Sequence, residues 1–133
     1  MQQAIGETDL KKLLTGMSPH LNEGEYVYCQ LPDNIQLPMD IVIAFFREQE
    51  GNTFILSKEN ADQLSLNYQY IAAWITLTIQ SSLDAVGLTA AVAQALATAN
   101  ISCNVVAAYS HDHIFVRSED ATKAMAVLKS IVK

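Results

Sequence analysis

Two stretches of this chain, EGNTFILSKENA (50–61) and SHDHIFVRSEDA (110–121), run through the same order of features. Each has a turn, a β-forming run holding a phenylalanine, a serine placed to cap a helix, an acidic first turn, and an alanine on the incoming helix. A repeat of this kind constrains a fold more than composition does, because one supersecondary unit must pack against its own relative. A chain of 133 residues has room for one domain or for two half-size units sharing a core. The repeat selects the second, with units over 1–68 and 69–133.

The pattern between the repeats fills in the elements. Leu10, Leu13, Leu14 and Met17 recur at helical spacing in ETDLKKLLTGM, and Pro19 stops that helix. EYVYCQL (25–31) alternates and reads as a strand, and PDNIQLPMD reads as a loop. IVIAFFREQEGNTFILS is a β-hairpin whose acidic tip is solvated, with Gly51-Asn52 supplying tolerance of positive φ. Ser57 caps the short helix KENADQL. YQYIAAWITLTI (68–79) is the strongest strand, with Trp74 at the core or an interface. Tyr26 and Tyr28 alternate onto one strand face. In AVGLTAAVAQALATAN, Leu88, Val92, Ala95, Leu96 and Ala99 form one apolar helix face, and Asn100 suits the left-handed residue that ends it. ISCNVVAAY and HIFVR are the next two strands. Ser118 caps a last helix that buries Ala121, Ala124, Met125, Leu128 and Ile131, with Lys129 and Lys133 near its end.

The second unit therefore reads β-α-β-β-α, a ferredoxin-like βαββαβ arrangement short of one strand. An antiparallel sheet with both helices on one face is the α+β solution for such a pattern. An open apolar edge invites aggregation, so the missing strand must come from the other unit, where 25–31 is to spare. The two units are expected to intertwine.

Composition narrows function by exclusion. Half the residues are hydrophobic, enough for a sizeable core, and the net charge is −6 with eight scattered basic residues. A nucleic-acid surface concentrates positive charge, and an anionic membrane repels an acidic protein, so neither is an expected partner. Cys29 and Cys103 lie in β-type runs without a CxxC pair and read as small buried hydrophobes in a reducing compartment. With no signal-peptide pattern and no apolar stretch long enough to span a bilayer, the expected location is cytoplasmic. No Ser-His-Asp order, phosphate-binding glycine loop or paired carboxylates emerge, so no enzyme and no cofactor are expected.

Two places hold candidate chemistry. His111 and His113, two apart, share a face if they lie in a strand and so reach one metal ion, but zinc needs three or four ligands and spacing implies no partner. His20 follows Pro19 in the other unit. The competing reading makes His111-Asp112-His113 part of a hairpin turn, with Ser110 and Asp112 bonding the local backbone. The second place is SSLDAVGLTAAV. Glycine at a helix start costs about 1 kcal/mol against alanine and so has a reason. Either Gly87 lets an anion approach the free N–H groups of the helix start, with Asp84 holding an ammonium group, or it permits close helix-to-sheet packing with Asp84 as an ordinary N-cap.

ITLTIQSSLDAVGLTAAVAQALATANISCNVVAAYSHDHIFV resembles an ACT domain through its strand, its turn, Val86-Gly87 at the helix start, Leu96, and Asn100-Ile101 leading into the second strand. DLKKLLTGMSPHLNEGEYVYC, FREQEGNTFILS and HDHIFV extend the likeness across nearly the whole chain, to small bacterial proteins of two ACT-like units and to aspartate kinase ACT regions. The resemblance implies a non-enzymatic regulatory module, binding an amino acid between this loop and the second strand of a neighbouring unit. Carried over by position, the ligand residues are Asp84, Ala85, Val86, Gly87 and Leu88, with Asn100, Ile101 and Ser102 across the interface. It also implies a homo-oligomer, a dimer or higher. LDAVG departs from the family in lacking a proline before its glycine, and the first unit has no glycine-bearing counterpart. The alternatives are a protein–protein interaction module without a ligand, or a small metal-binding protein using His111 and His113.

Overall fold

Strand β5 (Ile71–Thr78) is the seam on which the two halves of the chain meet. The computed structural model describes residues 14, 16–78 and 87–131. Ahead of β5 come β1 (Ser18–Leu21), β2 (Tyr26–Leu31), β3 (Val42–Phe46), β4 (Asn52–Ser57) and helix α1 (Lys58–Gln63). After it come α2 (Leu88–Thr98), β6 (Cys103–Ala107), β7 (His111–Arg117) and α3 (Ala121–Ile131). All the strands join one antiparallel sheet in the order β3-β4-β2-β5-β7-β6, with β1 also on β5. The two ferredoxin-like units are thus intertwined through a continuous sheet.

The strand that completes the second unit is β1 and not the segment 25–31. Its four residues pair Ser18 with Thr78 through Leu21 with Ile75, and the set β1-β5-β7-β6 is the four-stranded half. β2 touches β5 at only Tyr26–Ala72 and Val27–Ile71 before peeling off onto β4. Pro19 sits inside β1, at an edge where its missing N–H breaks no ladder bond. The helix expected over 7–17 lies largely outside the described residues. Leu14 is helical, and Leu14 and Met17 pack on the core of the second half.

Period-two alternation sorts the side chains. Ala73, Ile75 and Leu77 of β5 and Ile114 and Val116 of β7 face the helices, where they meet Leu88, Val92 and Leu96 of α2 and Ala124 and Leu128 of α3. Val27, Cys29, Phe54 and Leu56 form a smaller cluster over Ala61 of α1. Val27 stands opposite Ile71 on β5, so both clusters and α1, α2 and α3 share one face of the sheet. The other face carries Tyr28, Ile55, Ala72, Trp74 and Phe115.

Local signals act as expected at several points. Ser57 caps α1, its Oγ accepting from the Asn60 amide at 3.1 Å. The helix closes through Leu66 N–H to Ala61 O and Ser65 N–H to Asp62 O, which forces Ser65 to φ 56°. α2 closes through the same 6→1 and 5→2 pair at Ile101 and Asn100, with Asn100 at φ 63°. Ser118 departs from its counterpart Ser57. The chain enters a 3-10 turn at Ser118–Asp120 with no side-chain cap, and the Ser118 hydroxyl instead donates to Glu25 Oε2 at 2.7 Å, linking the two halves.

Candidate functional site

The start of α2 is built on Gly87, which lies at φ 93° in the left-handed region and serves as N-cap. That conformation is itself the reason for the glycine: an L side chain there costs about 1–2 kcal/mol. The N-cap position is taken by Gly87, which offers no side-chain acceptor. Asp84, Ala85 and Val86 lie outside the described residues. Leu88 turns its side chain into the core at 3 % exposure, leaving only its backbone for a ligand.

At the far end of α2, Asn100 and Ser102 are exposed while Ile101 is core. α2 is eleven residues long, about 16 Å along its axis. Gly87 and Asn100–Ser102 therefore bracket the helix and do not meet within one chain. A ligand touching both groups needs them from different copies.

The His111-Asp112-His113 stretch is strand, not turn; the turn is Ala108–Ser110. This corrects the hairpin-tip reading. Register then brings the chain's three histidines to one face. Thr76 stands between His20 of β1 and His113 of β7, and Thr78 stands opposite His111. Asp112 points to the helix face opposite Leu77, where burial pushes its carboxyl up despite the nearby His113. Among the described residues, no group of three or more His, Cys, Asp or Glu is arranged to hold a metal ion.

His113 is instead tied to its own sheet. Trp74 Nε1–H donates to His113 Nδ1 at 2.9 Å, and Thr76 Oγ1, which accepts from Asn22 Nδ2 at 2.9 Å, lies 3.4 Å from the same nitrogen. An indole nitrogen only donates, so Nδ1 is the acceptor and the neutral ring carries its hydrogen on Nε2. Burial, with His111 next to it, holds this imidazole below the usual histidine range, Asp112 opposing. Tyr26 packs edge-on against Trp74 at 5.2 Å, and Tyr28 against Phe115 at 5.8 Å. Burial pushes the Tyr28 phenol up to about 12, with Tyr70 adding to it. Both cysteines are free, and burial raises their thiols.

Comparison with known proteins decides the family. Residues 5–73 match one ACT domain model and residues 69–130 match a second. The chain belongs to the ACT domain family. Both ACT units are similar to a Vibrio cholerae protein of unknown function, described as a possible transport protein. That protein is 43 % identical with a TM-score of 0.85, over 95 % of this chain and 98 % of the other. An Agrobacterium tumefaciens protein follows at 20 % identity and TM-score 0.67, over 87 % and 89 % of the two chains. The regulatory subunit of aspartate kinase from Thermus thermophilus, in its ligand-free form, shares the ACT fold at 12 % identity and TM-score 0.58, over 91 % and 99 %. No curated protein matches the chain. Among the described residues, no helix of this ACT protein is long and apolar enough to cross a membrane.

Proposed function

We propose that this ACT protein is a non-catalytic regulatory module that binds an amino acid between two copies of the chain. Free N–H groups at the start of α2 in one copy receive the carboxylate, as helix starts favour anions. Asp84 holds the ammonium group, and the backbone of Ile101 with Asn100 and Ser102 of the second copy closes the site. The observation that carries the reading is the separation of Gly87 from Asn100–Ser102 by the whole of α2, which makes any site using both an interface. Family membership and the likeness to an aspartate kinase regulatory subunit support it. The ligand acts by binding one packing of the copies better than another.

Calorimetry against the twenty amino acids, with light scattering for assembly, tests this reading. One amino acid is expected to bind saturably and to shift the assembly. Ser102→Arg, at an exposed position, should weaken binding without lowering Tm. Silence from all twenty at about 10 mM refutes the reading, since that excludes even affinities near −3 kcal/mol.

A second reading, an interaction module without a ligand, draws on an apolar cluster at the β3 end. Met39 is 77 % and Phe45 42 % exposed, and both line one open cavity with Ile35. Surface apolar groups gathered in this way mark contact sites. Under it, Met39→Glu changes the assembly while no amino acid does.

A further inference from the structure

The sheet face turned away from the helices closes on itself. Strands β3 and β6 are the opposite ends of the six-strand path, yet Val42, Ile43 and Ala44 of one and Val106 of the other, with Ala108 just beyond it, line a single cavity of about 350 Å³. Its floor is Trp74, His113 and Phe115 from the central strands. The β3–β4 register slips between Val42 and Ala44, so Ile43 is the extra residue of a β-bulge. A bulge bends its strand, raises the local twist and re-aims a side chain, and here it carries the edge over the central strands.

The lining is apolar apart from one imidazole, and no carboxylate or cation lies in it. The hydrogen bond from Trp74 occupies His113 Nδ1 and leaves Nε2 as an N–H donor. A cavity of this size is at the lower end of ligand sites, which run about 300–1,000 Å³ with apolar walls and a few orienting polar groups. Trp74 and Phe115 stack with centroids 6.3 Å apart, so the floor is a flat aromatic surface.

We infer that the curled sheet face between β3 and β6 is a second ligand site, taking a small neutral molecule with a flat apolar body and one hydrogen-bond acceptor presented to His113. A zwitterionic amino acid is the wrong chemistry, because its charges would be buried without partners at a cost of several kcal/mol. The site is therefore distinct from the interface site at the start of α2 and does not depend on it.

Acetophenone is a suitable probe, being aromatic and neutral with one carbonyl. In amide NMR of the full-length protein it should give saturable shifts at both sheet ends together, Val42–Ala44 and Val106–Ala108, and at the single indole N–H of Trp74. Benzoate, similar in shape but charged, should bind at least about tenfold more weakly. Ala44→Leu and, separately, Ala108→Leu fill the cavity from opposite edges and should each reduce acetophenone affinity by about tenfold or more. Shifts absent up to about 10 mM, or confined to one edge, overturn the site on the wild-type protein alone. Equal binding of benzoate, or unchanged binding by a folded filling variant, overturns it as well.

Discussion

Acidification should loosen this fold through one side chain, and the loss can be traced to one hydrogen bond. His113 Nδ1 accepts from Trp74 Nε1 at 2.9 Å and lies 3.4 Å from the Thr76 hydroxyl. A proton on Nδ1 turns the acceptor into a donor and leaves the indole N–H facing another N–H. A neutral hydrogen bond of this kind contributes about 0.5–1.5 kcal/mol, and the half-buried site puts the expected loss near 1 kcal/mol. The sign follows from proton counts. The folded His113 has its pKa lowered, so between its folded value and the ordinary value near 6.5 the unfolded chain holds the extra proton. Stability from this group is complete above the ordinary value and is lost as pH falls through the window, with a slope that cannot exceed about 1.4 kcal/mol per pH unit.

Urea unfolding followed by Trp74 emission, at about pH 7.5 and about pH 5.5, measures this directly against His113→Gln. A glutamine amide offers an acceptor at every pH. The two proteins should be close in stability at the higher pH, and the variant should be the more stable by about 1 kcal/mol at the lower. Comparing wild type with variant cancels every contribution that does not involve His113. Asp112, whose carboxyl pKa burial raises and His113 lowers, contributes with the opposite sign. If the difference between the two proteins stays constant within about 0.5 kcal/mol across the range, the tautomer and the bond to Trp74 are wrong.

Leu96, fully buried where α2 meets the sheet, should cost about 2–5 kcal/mol when cut to alanine, read as a lower urea midpoint with the slope unchanged. Ser65→Gly should stabilise by up to about 1 kcal/mol, because Ser65 holds a left-handed φ of 56° at the end of α1; a lower Tm would mean its side chain has an unseen role. Gly51→Ala should destabilise by at least about 2 kcal/mol, since its φ is 146° and a Cβ there would lie 2.9 Å from the Leu31 carbonyl; an unchanged Tm would refute the hairpin geometry.

What the sequence disclosed was set by how local each cause is. The β3–β4 hairpin, the Ser57 cap and the Asn100 terminator follow from residues within a few positions of each other, and all are present. Strand β1 was hidden because nothing within SPHL asks for a strand. Its extended state comes from the free edge of β5, more than fifty residues away in sequence, and Pro19 reads as a helix stop until that edge is known. Ser118 shows the same limit from the other side. Its local pattern repeats that of Ser57, but Glu25 offers a charged acceptor across the fold, and a hydrogen bond to a carboxylate outweighs one to a backbone amide.

The histidines carry this argument to the site. Spacing alone shows that His111 and His113 share a face only if the segment is a strand, and it says nothing of His20. The register of β5 with two neighbours at once settles both, because Thr76 has His20 on one side and His113 on the other. The same register puts Trp74 diagonal to His113, and the indole then takes the nitrogen a metal would need. His113, one of the two candidate ligands, is thus the acceptor of a hydrogen bond within its own sheet. The donor it leaves, Nε2–H, belongs to a ring on the floor of a cavity walled by Ile43 and Val106. Those residues have no sequence signal, since an apolar edge residue looks alike whether it lines a cavity or a core. Only the curl that brings the two ends of the sheet together distinguishes them, and the filling variants Ala44→Leu and Ala108→Leu measure that curl.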